Sequence, residues 1–474
     1  MPEFLQAEFA ERRVRFAAGA GDGVILVLGG REPEKDYIQF FQSPSLYYLT
    51  GFREPNAALV MVKRGSEVTS RMYVQPRDPA REAWTGARLG TEGVTRISGM
   101  PARHESELIP ALDSLLRPAP RLMMVTDLGE VARPAWLKPV EVLFLDTLRG
   151  RLPGLTVTDL TPRLQQMRAV KSPTEQALIR QAAAITVLAH REAMQAIEPG
   201  MNEFELQALI EYTFRRNGAD RPGFASIVGS GPNSTTLHYI INDRYIEAGE
   251  TVVIDIGALY KGYSADVTRT VPSNGTFSTE QRAVYQVVRG AQAAAERQVR
   301  VGGSAKAMRD SSDATLARGL AQLGLIESPN ATYQCGAQGR SCLQSQLFTI
   351  HGLSHGIGLE VHDPEEWYFS GTFANGSAFT IEPGIYVRAN LLTDVIPDTE
   401  ANRAFRTRLA TLLPRYRNIG VRIEDDYIVT DAGVEWISQA PREIDEIEAL
   451  MRVQFTGPAR RDPALVETYR RDVP

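Results

Sequence analysis

The chain has 474 residues, 43% of them hydrophobic, enough to bury large cores and, by length alone, to build roughly two or three domains. A net charge of −5 leaves no basic footprint, which argues against nucleic acid as a partner. No apolar run is long enough to span a bilayer, and two cysteines do not make a disulfide framework.

At the amino-terminal end MPEFLQAEFAERRVRF reads as an amphipathic helix rather than a charged start followed by an apolar h-region, so a cytoplasmic location is expected. Up to about residue 160, the strand-like runs GVILVLGG, AALVMVK and RMYVQ alternate with helix-like segments, the pattern of an α/β domain. Lys171-Ser172-Pro173-Thr174-Glu175 then combines an S-x-x-E capping box with proline at the first helical position and opens a long helix to about residue 197. A boundary just before it gives domains of 1–163 and 164–474. Caps at Asn202 with Glu205 and at Ser278 with Gln281 start two more helices, so the second domain reads as α+β. His104 and His190 stand in no motif and are expected at the surface or in the core. The tail after about residue 455 is charged with little apolar periodicity, and no low-complexity tract or short repeat occurs.

TVVIDIG (251–257) and YSADVTRT (263–270) read as two strands around a short turn. A two-residue hairpin centred on Tyr260 and Lys261 pairs Asp255 with Asp266, whose Cβ atoms would then lie about 4.5–5.5 Å apart. Like charges there repel, and an ionised carboxylate inside a sheet is costly without a compensating cation. A lone aspartate in a strand is ordinarily a turn or bulge residue, so the functional reading of this pair rests on what accompanies it.

Three further side chains do. HGLSHGIGLEVHD (351–363) holds His351, His355 and His362, spaced by glycines that let backbone approach a ligand. FTIEPGIYV (379–387) puts Glu382 at a strand end, because Pro383 cannot donate to a ladder. In GVRIEDDYIVT (420–430), alternation places Arg422, Glu424 and Asp426 on one face and Asp425 on the other, so that Arg422 is expected to orient Glu424. Asp425 and Asp426 are expected to be solvated or supporting rather than ligands. The set Asp255, Asp266, His355, Glu382 and Glu424 offers four carboxylates and one imidazole. Oxygen-rich ligation favours hard divalent ions, Mn2+ first, with Co2+, Zn2+ or Fe2+ as alternatives, and excludes thiolate-type sites. Four carboxylates balance two dications, which points to a two-metal centre and to hydrolysis.

At these residues the chain resembles the pita-bread-fold metallopeptidases, in the Xaa-Pro aminopeptidase and prolidase branch. GFASIVGSGPNSTTLHY (223–239), the two-aspartate hairpin, HGLSHGIGLEVHD, TIEPGIY and GVRIEDD occur in the family's order, and QSPSLYYLTGF (42–52) and EAWTGARLG (82–90) extend the similarity upstream. The resemblance implies a pita-bread catalytic domain behind a smaller creatinase-type, RNase H-like α/β domain. It further implies two metals held by Asp255, Asp266, His355, Glu382 and Glu424, with Asp266 and Glu424 bridging. His238, His351 and His362 match the family's histidines that bind substrate and stabilise the tetrahedral intermediate, and Glu382 its proton acceptor. Intact ligand positions argue against the creatinase branch and against metal-free binding proteins of the same fold. The implied substrate is a peptide with proline at the second position, and the implied assembly a homodimer or homotetramer. Tyr386 is a candidate to line the proline site, and Trp84 is open between ordinary packing and reaching a neighbouring subunit.

Two features stay ambiguous. The stretch between Tyr386 and Gly420 resembles the insertion of prolidases, whereas the amino-terminal half and SIVGSGPNSTTLHY resemble aminopeptidase P, so a Xaa-Pro dipeptidase is the alternative reading. A lid built from that insertion would close the cleft over a dipeptide or frame a pocket for longer peptides. Cys335 and Cys342 flank a polar loop and, in a reducing compartment, are expected to be free thiols.

Overall fold

The computed structural model describes residues 6–35, 37–128, 138–336, 339–364 and 371–458. They fall into two compact units, one running to Arg168 and one beginning at Ala169. From residue 459 onward the charged tail lies outside the described residues.

The first unit is a mixed sheet of β1 (Gly23–Leu28), β2 (Ala58–Arg64), β3 (Glu67–Val74), β4 (Ala102–His104), β5 (Arg121–Val125) and β6 (Thr156–Asp159), in the order β4-β3-β2-β1-β5-β6. β1 is apolar throughout because it lies inside the sheet, antiparallel to β2 and parallel to β5. Leu112, Leu116, Leu145 and Leu148, from helices Leu108–Leu116 and Val140–Arg149, close one face against Leu26, Val60 and Met124. The first helix, Gln6–Ala18, buries Arg12 and Arg13, which donate to the carbonyls of Tyr48 and Leu49 where helix Pro44–Thr50 ends and its dipole is negative. Trp84 is 82% exposed, so packing within its own unit does not account for it.

The second unit opens on the expected helix, Pro173–Ala196, with the Ser172 and Glu175 capping box formed in both directions. Helix Glu203–Arg216 follows, then β7 (Arg221–Pro222), β8 (Ile227–Ser230), β9 (Thr251–Ile256), β10 (Ala258–Tyr260), β11 (Tyr263–Ser264) and β12 (Val267–Pro272). A second helix pair, Thr279–Glu296 and Ala305–Gln322, precedes β13 (Thr332–Gln334), β14 (Ser341–Leu343), β15 (Ala378–Ile381), β16 (Gly384–Val387), β17 (Ile419–Arg422), β18 (Asp425–Thr430) and β19 (Gly433–Trp436). Two helices followed by a three-stranded antiparallel sheet thus occur twice, as β8-β9-β12 and as β15-β18-β19. The two sheets meet where the backbones of Thr268 and Glu424 bond to each other, at 3.0 and 3.3 Å. This pairing of half-sheets is the pita-bread architecture.

The hairpin register differs from the expected one. Tyr260 pairs with Tyr263 and Asp255 with Thr268, so Asp255 and Asp266 are diagonal neighbours rather than direct partners. The reason is local: Lys261 and Gly262 adopt φ of 48° and 90°, the primed turn that suits a twisted hairpin, and glycine is the residue that takes the second left-handed position without strain. The shift is two residues, an even number, so both aspartates keep the same face.

Cys335 and Cys342 are joined in a disulfide, not free. The β13–β14 hairpin imposes it: Tyr333 pairs with Cys342 and the Cys335 N–H meets the Arg340 carbonyl, leaving the two Cα atoms 5.8 Å apart. The insertion forms helix Arg403–Tyr416 and buttresses this hairpin. Asn402 caps both backbone groups of Gln334, at 2.8 and 3.0 Å, and Arg408 donates to the carbonyls of Gly324 and Ile326.

Candidate metal centre

Glu424 sits in the gap between β17 and β18, Asp255 inside β9 and Asp266 immediately before β12, all buried. Asp266, His355 and Glu424 offer ligand atoms that all lie within 4.8 Å of one another. His355 Nε2 is 3.4 Å from Asp266 Oδ2, 3.6 Å from Glu382 Oε1 and 3.7 Å from Glu424 Oε1. Its Nδ1 faces the Gly356 carbonyl at 3.1 Å, so a proton held there leaves Nε2 as the atom turned toward the carboxylates. Glu382 follows β15 directly, and its N–H is taken by the Leu353 carbonyl, which ties the histidine loop to the strand end.

Asp255 is held by Arg422, whose Nη2 is 2.6 Å from Oδ2. This corrects the expectation that Arg422 orients Glu424. Arg422 donates from Nε to Thr268 Oγ1 at 3.1 Å, and Thr268 donates in turn to Glu424 Oε2 at 2.7 Å, so the guanidinium reaches Glu424 only through a hydroxyl. Alternation correctly placed the two side chains on one face; the cross-strand neighbour depends on register, which alternation does not give. Its third arm donates to Tyr386 Oη at 2.9 Å, and Tyr386 lies 2.7 Å from His351 Nε2. His351 Nδ1 lies 3.3 Å from Glu382 Oε2.

Neither Asp425 nor Asp426 is solvated. Asp426 accepts the Asp266 N–H, while Asp425 points to the other side and is bonded by Arg269, Arg442 and Gln292. His362 packs against His355 with ring centres 4.0 Å apart and the rings tilted by 41°. Their loop folds over the Asp363 carboxylate, which accepts the Leu359 N–H at 2.8 Å, and a Cβ at Gly358 would collide with that carboxylate. Lys171 Nζ donates to the Asp363 carbonyl at 2.7 Å and fixes the loop's far end. His238 is exposed, next to Leu237, whose carbonyl accepts from Arg422. His190 is a core residue, bonded to the Val267 carbonyl, and burial lowers its pKa to about 3. His104 caps its own turn through Ser106.

The electrostatics show what the cluster lacks. Burial pushes Asp255 up and Asp266 well up, each reinforced by Glu424. His355, which burial alone would lower, is raised well above its ordinary value by hydrogen bonds to Asp266 and Glu424. Asp255 Oδ1, Asp266 Oδ1 and Glu424 Oε1 are buried and find no hydrogen-bond donor among the described residues. Buried carboxylate oxygens without donors are costly, and divalent cations satisfy them where protons do not suffice. The donor set therefore fits hard divalent ions. Sequence reasoning missed Thr268, a threonine in a strand being unremarkable; its position two residues after Asp266, on the same face, was the available signal.

A pita-bread domain that gathers acidic groups and an imidazole around one buried point is the architecture of a metal-dependent hydrolase. Residues 177–431 match the family model of metallopeptidase family M24, and residues 9–123 that of the aminopeptidase P N-terminal domain. The chain is 33% identical to the Xaa-Pro aminopeptidase of Haemophilus influenzae over 95% of its length and 98% of that relative. It is 30% identical to the Xaa-Pro dipeptidase of Homo sapiens, covering 94% and 93% of the two chains. Among solved structures, proline aminopeptidase P II from Yersinia pestis superposes with a TM-score of 0.78 at 32% identity, covering 94% of this chain and 99% of that one. Escherichia coli aminopeptidase P with the inhibitor Pro-Leu gives 0.78 at 31% identity, covering 95% and 98%. The chain belongs to metallopeptidase family M24.

Proposed function

We propose that this chain is a Xaa-Pro aminopeptidase, releasing an N-terminal residue that precedes proline. The observation that carries the proposal is the convergence of Asp266, His355 and Glu424 beside Glu382, with one buried oxygen each of Asp255, Asp266 and Glu424 lacking a donor among the described residues, in a chain whose relatives of nearly equal length carry that name. These five residues, Asp255 included, are proposed to hold two divalent cations, manganese first, with Asp266 and Glu424 shared between them. When bound, such ions lower the pKa of water and polarise a carbonyl oxygen.

The chain's own groups do the rest. Burial would raise Glu382, but hydrogen bonding and charge from His351 hold it below the usual carboxylate range, so it is ionised and ready to accept a proton at neutral pH. Arg422 occupies the outer oxygen of Asp255 and turns the other inward. His351 and His362 flank the cluster as donors toward a developing oxyanion, with His238 at the approach. The bond before proline is a tertiary amide without an N–H, so ring shape must be read instead; Tyr386, fully buried, is not available to line that surface and instead ties His351 to Arg422.

A Xaa-Pro dipeptidase is the second reading, favoured by the insertion and by the human relative of that name. Against it, the insertion is bonded to the hairpin and to the turn after helix Ala305–Gln322. Assay of a Xaa-Pro dipeptide and a Xaa-Pro-Xaa tripeptide at saturating Mn2+ separates the two: tripeptide turnover, abolished by chelator and by Asp266→Ala, is expected, and dipeptide-only turnover would overturn the proposal. Activity surviving both treatments would remove the metal mechanism. A non-catalytic peptide-binding role predicts no turnover under any metal. Among the described residues no helix is long and apolar enough to cross a membrane; a homodimer or homotetramer is proposed from the resemblance alone, and the cytoplasm as the default location.

A further inference from the structure

We infer that the segment from Pro329 to Gln346 forms the outer wall of a channel for the part of a peptide that continues beyond the proline. The inference deepens the aminopeptidase reading and rests on it. A cavity of about 630 Å³ is lined by His351, Pro383 and Gly384, by helix Ala305–Gln322 and by this segment. His351 is also the side chain that touches Glu382, so the cavity comes within one residue of the proposed proton acceptor. Its volume lies within the range of about 300–1,000 Å³ usual for small-ligand sites, enough for a short peptide rather than a single side chain.

The lining fits an extended main chain. Asn330, Ser345, Gln346 and Thr349 supply neutral donors and acceptors, over an apolar floor that includes Leu316 and Ala317. Asp313 and Arg318, both from helix Ala305–Gln322, line the cavity with opposite charges, so it offers no single-sign demand for a terminal carboxylate. No residue of the insertion lines it. What the insertion does is hold the wall: Asn402 grips Gln334 in β13, the Cys335–Cys342 bridge closes the hairpin, and Gln344, buried at the root of β14, bonds to Glu327 and to the Thr332 carbonyl. The wall is thereby fixed on both sides before any substrate arrives, which limits the ordering cost of binding a flexible chain.

The test compares kcat and KM for a Xaa-Pro-Xaa tripeptide and a pentapeptide extended from it, using the manganese-loaded full chain. Contacts made equally in ground and transition states change KM and leave kcat alone, so the wild type is expected to show a lower KM for the pentapeptide, by about fivefold or more. Ser345→Trp, which fills the cavity, is expected to raise the pentapeptide KM about tenfold while tripeptide kinetics stay within about twofold. Should that variant fold poorly, Asn330→Ala combined with Gln346→Ala, both at exposed positions, is expected to raise the pentapeptide KM about threefold or more without changing tripeptide kcat. Equal effects on both peptides, or none, would overturn the channel. Turnover of the tripeptide with no gain at five residues sinks only the channel, whereas no turnover of any Xaa-Pro bond sinks the activity on which it rests.

Discussion

Thr268 carries more of the site than its chemistry suggests. It accepts from Arg422, donates to Glu424, and its backbone joins the two half-sheets, so one hydroxyl fixes the orientation of a proposed bridging carboxylate. Thr268→Val keeps the shape and removes the hydroxyl. Outer contacts of this kind are typically worth about 10–100-fold in metal affinity or activity, and a loss of that size in Mn2+ affinity, read by titration, is expected with near-wild-type folding. An unchanged affinity would refute the role. The five candidate ligands were legible in the sequence because each interrupts an apolar or glycine-rich run in which a charge needs compensation. Thr268 and the Arg422–Asp255 pair were not, because hydroxyls are ordinary in strands and cross-strand partners follow from register.

At the scale of elements, what is local could be read and what depends on closure could not. The caps at Ser172 and Ser278 formed as expected, since a side chain and its target three residues away settle the matter between themselves. The hairpin turn required a choice between neighbouring dipeptides, and the φ > 0 demand at both central positions selected Lys261-Gly262 over Tyr260-Lys261. Gly262→Val places a β-branched residue at φ 90° and is expected to cost at least about 1–3 kcal/mol, seen as a lower denaturation midpoint, with Mn2+ affinity falling as Asp266 shifts. A variant as stable as the wild type would mean that the turn is not under that constraint. The disulfide escaped the sequence reading because spacing says nothing about which hairpin register brings two sulfurs together.

For the molecule as a whole, the order of motifs revealed the fold family, whereas the doubling of helix pair and three-stranded sheet is visible only in the coordinates. The buried acids make stability depend on pH in a direction that follows from their shifts. Asp255, Asp266 and Asp426 are raised by burial, and His355 by its carboxylate partners against the effect of burial. In the metal-free protein the native state thus keeps protons that the unfolded chain gives up above about pH 3.9 for aspartate and about 6.5 for histidine. Where the native state binds more protons, stability falls as pH rises, so this contribution is complete below those values and is lost through the raised native ones. Glu382 and Asp425 are lowered and act oppositely, losing their contribution only as pH falls below the carboxylate range. The Tm of chelated protein is therefore expected to decline from about pH 5 to pH 8, while the rise on adding Mn2+ grows and protons are released on binding. A chelated Tm that climbs over that interval would contradict the assignment.

Asp425, fully buried and adjacent to the proposed ligand Glu424, faces the opposite side, where buried Arg269 lies 2.6 Å away and Arg442 links it to Glu296. Holding the strand in place and gripping the ions are thus separate duties assigned to successive carboxylates. In descendants of such a chain, catalysis could erode at Glu424 while the scaffold beneath it persisted, leaving an intact cleft free to acquire another trade.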